Sequence, residues 1–468
     1  MKKRFLLSLA LFCSPLITSA ADLIEVYQQA QVSDPTFQQA IAQRLATKEG
    51  VPISVAAILP NIALTANPTI SRYGFSGSAL QAVPVDDITS IFPRNLTTRT
   101  YTLNLGLTQT VFDFAKFSVV AQQVSLSSGA DATLNAALQD LMVRVANAYF
   151  AILKDEDNLS YAEATKLAYA EQLDQIKQQY KVGLKTITDV YTAQASYDSA
   201  VANYIAAENT LVNDRENLRV ITGIYYPHLA SLSEQFPLIR PQPSNVDLWV
   251  KTAVWQNWTV RSSRCDVAQA REFIKQQVAG HIPTVNVQGN ISRQYTENIN
   301  GYRTFSDRNG PGTITDRSIT LNLNVPIFSG GGVIAQTKQA TYSYRVAQEK
   351  LEFTIRNTIN TTRQTYNSLI SGISQVQADE QAIKSNVSSL KGMEAGYQAG
   401  TQTLVDVLNQ QQNLYKAQTQ YATDRYAFVN NILALKRAAG TLSFDDLRAI
   451  NVWLTNKSKN KFHHSRVD

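Results

Sequence analysis

The chain has 468 residues and a formal charge of +6, which falls to +3 if Lys2, Lys3 and Arg4 leave with an N-terminal leader. So small an excess makes no case for a nucleic-acid partner. No segment after the leader offers the roughly 18 to 20 uninterrupted apolar residues of a membrane helix, and Cys265 is the only cysteine besides Cys13, so no intramolecular disulfide is expected.

The first predicted element is a secretory signal peptide. Lys2, Lys3 and Arg4 precede the apolar run FLLSLALF, and small residues follow at SPLITSAAD. Cleavage after Ala20 or Ala21 starts the exported chain near Asp22. Phe12 before Cys13 argues against a lipoprotein site, and Cys265 is expected as a buried structural cysteine.

Two strands come next, at about 61-72 and 99-112. Ile62, Leu64, Ala66 and Ile70 alternate with Ala63, Thr65, Asn67 and Thr69, and Tyr101, Leu103, Leu105 and Leu107 alternate with Thr102, Asn104, Gly106 and Thr108. Between them, 72–99 is rich in Gly, Ser, Asp and Arg and is expected as a loop outside the cell.

Residues 94–226 contain no proline, and neither do residues 327–468. Interior proline breaks a helix, so such tracts of Ala, Gln, Leu, Lys and Glu predict long helices. In the first, Leu134, Leu138, Leu141, Val145, Ala148 and Ile152 step by four and three, a coiled-coil seam. A helix over about 115–181 would be roughly 100 Å long. The acidic run Asp155, Glu156 and Asp157 is expected on its solvated face.

The stretch YKVGLKTITDV at 180–190 ends that helix. Gly183 can adopt the left-handed conformation, Thr186 can cap the next helix, and Asp189 sits three residues later. The following helix, about 187–222, returns antiparallel.

The pattern then repeats. Val285, Val287 and Ile291, then Ile319, Leu321, Leu323, Val325 and Ile327, alternate with uncharged polar residues, predicting strands at about 283-293 and 316-328 around a second outer loop at 293–318. A helix over about 333–398 carries the seam Tyr366, Leu369, Ile373, Val376, Ile383, Val387 and Leu390, with one gap at Glu380. YQAGTQTLVDV at 397–407 repeats the turn through Gly400, Thr403 and Asp406, and a helix over about 404–438 returns. The final KSKNKFHHSRVD reads as a disordered tail.

Four strands of about 9 to 11 residues with apolar faces opposite Thr, Asn, Ser and Gln fit an outer-membrane barrel with a watery lumen. Four strands cannot close, and an open edge in lipid leaves backbone groups unsatisfied. Oligomerisation is therefore expected, and a trimer supplies twelve strands. No His pairs with Cys, Asp or Glu at a metal-ligand spacing, and GGG at 330–332 lacks the Lys and Ser or Thr of a phosphate loop. No enzyme activity, cofactor or metal is expected.

These features together resemble the TolC family of outer-membrane efflux and secretion channels. The match is carried by VYQQA at 26–30, LTQTVFD at 107–113, YKVGLKTITDV, ITGIYYPHLASL at 221–232, GHIPTVNV at 280–287, PIFSGG at 326–331 and MEAGYQAGTQTLVDVL at 393–408. The resemblance implies a mixed α and β membrane protein. It would be a homotrimer, with a 12-stranded outer-membrane barrel (4 strands per protomer) continuous with a 12-helix periplasmic coiled-coil tunnel. It implies internal duplication: a signal peptide at 1-21, a first repeat at 22-225, an equatorial segment at 226-250, a second repeat at 251-440, and an equatorial segment with tail at 441-468. The location implied is the outer membrane of a Gram-negative bacterium. The function implied is a passive exit duct, with outer-membrane lipid around it and a periplasmic adaptor (membrane fusion) protein and an inner-membrane efflux pump or secretion ATPase as partners.

Matched residue by residue, the resemblance implies that Asp406 and Asn409 form the pore constriction and that Thr188, Asp189, Tyr397 and Gln402 link neighbouring helices in the closed state. It also implies that Gly183, Leu184, Thr186, Gly400, Thr401 and Thr403 meet the adaptor at the tips. Gln402 stands where better-known members carry Arg, and Asn409 where they carry a second Asp. Losing the arginine removes a charge-assisted bond, so a looser closed state with one anionic ring is expected. A periplasmic coiled-coil adaptor would share the hairpins without the lipid-facing strands, and a trimeric adhesin would not duplicate a barrel-and-hairpin unit.

Overall fold

A computed structural model of the chain describes residues 20–74, 95–299 and 312–455. The leader, the C-terminal tail and most of the two outer loops lie outside these. Two compact units form: one from the chain up to Ala42, Ala132–Arg261 and Phe353 onward, the other from Gln43–Asp131 and Ser262–Glu352.

In chain order the elements are α1 (Leu23–Ser33), α2 (Pro35–Lys48), α3 (Gly50–Ala56), β1 (Asn61–Gly74), β2 (Asn95–Phe112), α4 (Phe114–Lys181), α5 (Ile187–Thr222) and β3 (Ser231–Leu232). There follow α6 (Val246–Gln256), α7 (Trp258–Val278), β4 (Thr284–Asn298), β5 (Gly312–Asn324), α8 (Gly332–Gln398), α9 (Leu404–Ala439), α10 (Phe444–Asn451) and β6 (Leu454–Thr455).

The second unit holds a four-stranded antiparallel sheet in the order β1-β2-β4-β5. Its register aligns the alternating sets, placing Leu64 opposite Leu105 and Leu105 opposite Ile291. The apolar face is bare: Leu103 is 47% exposed and Ile319 86%. On the other face Asn322 donates to the Asn286 Oδ1 at 3.1 Å. β1 and β5 are the sheet's two edges.

At their outer ends the strands run past the predicted bounds: β1 reaches Gly74, β2 starts at Asn95, β4 ends at Asn298 and β5 starts at Gly312. Pairing continues beyond the apolar band into polar residues, where Arg99 lies opposite Glu297 and donates to it at 2.9 Å. A ladder needs only backbone partners, so it outruns the alternation. β5 departs in the other direction, ending at Asn324 and leaving Val325 and Ile327 outside the strand. Pro326 has no N–H to donate, and Gly330 and Gly331 turn the chain at positive φ of 60° and 78°.

In the first unit, 36-residue helices α5 and α9 return along α4 and α8. The predicted seams point inward: Leu141, Val145 and Ile152 are wholly buried, as are Leu369, Ile373 and Val376 to within 8%. α4 contains a window apolar enough to span a bilayer, yet 56% of that window is buried within the protein. The main core joins α1, α4, α5, α9 and α10 through Leu23, Tyr149, Phe150, Leu218, Val429 and Leu447. Around it Ala21 bridges Leu229, Tyr149 Oη lies 2.7 Å from the Ala230 carbonyl, and β3 pairs with β6.

Two expectations are corrected. The acidic run at 155–157 is not a solvated face: Asp155 is 3% exposed, Glu156 accepts from Arg215 at 2.9 Å, and Asp157 accepts from Tyr426 Oη at 2.8 Å. Returning helices cover that side of α4, and Glu156 and Asp157 bond across to them. Cys265 is half-buried, not buried. It packs against Gly129, where an added Cβ would sit 3.2 Å from its own.

Candidate functional site at the hairpin turns

Both turns are built the same way. Gly183 has φ 77° and Gly400 has φ 78°, conformations that an L side chain strains to adopt. Leu184 N donates to Gln179 O and Gly183 N to Tyr180 O, each at 2.9 Å, and Thr401 N and Gly400 N make the matching pair to Gly396 O and Tyr397 O. These bonds satisfy carbonyls left open at a helix end.

Each following helix starts with a reciprocal capping box. Asp189 Oδ2 accepts from Thr186 N at 2.9 Å and Thr186 Oγ1 at 2.8 Å, while Asp189 N donates back to Thr186 Oγ1. Asp406 Oδ2 accepts from Thr403 N at 2.9 Å and Thr403 Oγ1 at 2.6 Å. These bonds hold both carboxyls below the usual Asp range, the Thr186 amide acting first for Asp189 and the Thr403 hydroxyl first for Asp406. Both are anions at neutral pH.

The two hairpins meet just behind the turns. Tyr169, Leu173 and Ile176 of α4, Ala193 and Ala200 of α5, and Leu404 and Leu408 of α9 form one apolar cluster. Tyr169 Oη donates to Leu408 O at 3.0 Å. Tyr397 borders this cluster and also the α8–α9 seam of Leu390, Val407 and Leu414. Thr188 and Asn409 line a single groove of about 720 Å³ with Tyr169, Tyr191, Tyr415 and Lys416.

Among the described residues, no hydrogen bond joins Thr188, Asp189, Tyr397 and Gln402 to one another, and the buried Tyr397 Oη has no partner. Gln402 folds onto its own turn, its Cγ only 2.7 Å from where a Cβ on Gly396 would lie. Leu184 is 74% exposed at the tip. Sequence reasoning missed Tyr169 and Lys185: each acts across the two hairpins, and no local spacing signals that.

The chain matches the family described as outer membrane efflux protein over residues 26–224 and 249–441. It belongs to the outer membrane efflux protein family. It is 37% identical to outer membrane protein TolC of Escherichia coli K12 over 95% of this chain and 87% of that one. It is 27% identical to the alkaline protease secretion protein AprF of Pseudomonas aeruginosa over 92% and 87%. The outer membrane protein VceC of Vibrio cholerae shares its fold, with a TM-score of 0.71 over 89% of this chain and 96% of that one at 20% identity. This family member is thus a TolC-like outer-membrane factor of a Gram-negative cell.

Proposed function

We propose that three copies close into a 12-stranded barrel continuous with a 12-helix periplasmic tunnel, forming a passive exit duct for drug efflux, type I protein secretion or both. The observation that carries this is the four-stranded sheet with an outward apolar face and two unpaired edges. Lipid offers an edge no hydrogen bonds, so neighbouring copies must supply them. AprF, named for alkaline protease secretion, supports the secretion role, and TolC-like identity over most of the chain supports the duct.

In this reading residues 22–225 and 251–440 are two copies of one unit, and 226–250 and 441–468 contribute an equatorial belt. The duct performs no chemistry. An inner-membrane pump or secretion ATPase drives it through a periplasmic adaptor that meets Gly183, Leu184, Thr186, Gly400, Thr401 and Thr403. Asp406 and Asn409 ring the constriction, and Thr188, Asp189, Tyr397 and Gln402 lie where helices separate on opening. The bare apolar face weighs against a periplasmic adaptor or an adhesin.

Accumulation of an amphipathic fluorescent dye in cells lacking the protein, with and without a restored copy, tests the efflux role. Build-up only in its absence is expected. Recovery of the protein as a monomer without detergent would overturn the duct.

A further inference from the structure

Lys185 lies in the first turn, one residue before the Thr186 cap. Its Nζ sits over the ring of Tyr397, 4.3 Å from the centroid. That tyrosine is the penultimate residue of α8 in the other hairpin, so the contact spans the two turns. An ammonium within about 6 Å of an aromatic face is attracted by the ring's quadrupole. Lys185 is also near enough to Asp189 to favour its charged form. One cation thus lies within electrostatic reach of an anion on its own hairpin and over an aromatic ring on the next.

Gln402 makes no such crossing. Its backbone N–H donates to Gly396 O at 3.2 Å, and its side chain lies against the same glycine. The arginine absent at 402 is therefore not replaced by the glutamine that stands there.

Resting on the duct reading, we propose that Lys185 is the cation that ties the first hairpin turn to the second, holding the entrance closed by stacking on Tyr397. It is a positioning residue: it touches nothing that is transported and acts through where it keeps α5 relative to α8. The ring it grips is well anchored, because Tyr397 borders both the cross-hairpin cluster and the α8–α9 seam. Moving the first turn away from the second strips the ammonium from the ring and costs the contact outright. The looser closure expected from Gln402 is offset from the neighbouring turn.

The test is resting conductance of the purified full-length protein in planar bilayers, without adaptor. Lys185→Met should raise the open-to-closed ratio by about two- to fivefold per link, the range of an exposed cation–π contact. Lys185→Arg keeps a cation for the ring and should behave as wild type, a rescue that loss of general packing would not give. Tyr397→Leu should match Lys185→Met, and the double variant should add nothing further. A silent Lys185→Met, or a Lys185→Arg as open as Lys185→Met, overturns the link. Asp406→Ala separates the two levels: if it lowers cation preference while Lys185→Met is silent, the duct stands and the link falls. If neither the wild-type protein nor any variant conducts, both fall.

Discussion

Asp155 of α4 lies close enough to Asp214 of α5, across the first hairpin, for the second carboxyl to disfavour ionisation of the first. Asp155 Oδ1 takes Lys154 Nζ at 3.1 Å, but its buried Oδ2 has no donor unless one of the two acids keeps a proton. The Glu156–Arg215 ion pair lies one residue further along each helix. Burial first, and Asp214 second, push the Asp155 carboxyl up to about 6. In the second hairpin burial first, and Asp424 second, likewise raise the Asp379 carboxyl. The first pair sits 28 residues before Gly183 and 31 after it, the second 21 before Gly400 and 24 after it, the same register one heptad nearer the turn.

The sign follows from a folded pKa above the unfolded value of 3.8. The folded state loses stability as pH rises from about 4 through 6, and above that the full cost is present. Asp155→Asn removes it while retaining a donor for Asp214. Thermal unfolding should show a higher Tm for the variant at pH 8 and a smaller difference at pH 5. A variant that loses Tm equally at both would show that no proton is shared.

The run at 155–157 shows why part of the molecule was legible and part was not. Helix ends were, because proline, glycine and Thr-x-x-Asp act locally on the backbone. Strand ends were less so: Thr97 and Thr98 pair in the ladder without any apolar alternation. The partners of Asp155 and Lys185 are on other helices, and only packing brings those helices together. Charge alone makes such residues look solvated.

Arg144 and Asp34 couple α4 to the start of α2. Arg144 Nη2 donates to Asp34 Oδ2 at 2.6 Å, and Phe37 N donates to the same oxygen at 2.9 Å. Asp34 is 2% exposed. Burial pulls its pKa up, but Arg144 and the Phe37 amide outweigh that and hold it below the ordinary value. Arg144→Met strands the carboxylate and should cost about 3 kcal/mol at pH 7. A depressed pKa means the pair contributes above the unfolded value and fades as pH falls, so the difference should shrink near pH 3. Equal losses at both pH values would point to lost packing instead.

Gly183→Ala and Gly400→Ala meet no atoms within 4 Å, so their cost is the backbone conformation alone. Forcing a Cβ into the left-handed region costs about 1 to 2 kcal/mol. Amide exchange at the turns should quicken by about tenfold or more, with Asn at the same positions milder. Gly392→Ala, in open space inside α8, should slow exchange there. Turns indifferent to Ala would mean that the positive φ is not maintained.

Asp406 combines two roles that one substitution pair can separate. As the third residue of α9 it closes the capping box with Thr403, and as an anion it would ring the proposed constriction in three copies. Like charges around a narrow axis focus the field and favour cations. Asp406→Asn keeps an acceptor for the Thr403 amide but removes the charge, whereas Asp406→Ala removes both. Reversal potentials in a salt gradient should shift toward non-selectivity in both variants, and only Asp406→Ala should loosen the start of α9 in amide exchange. An unchanged reversal potential in Asp406→Asn would leave Asp406 a helix cap and nothing more.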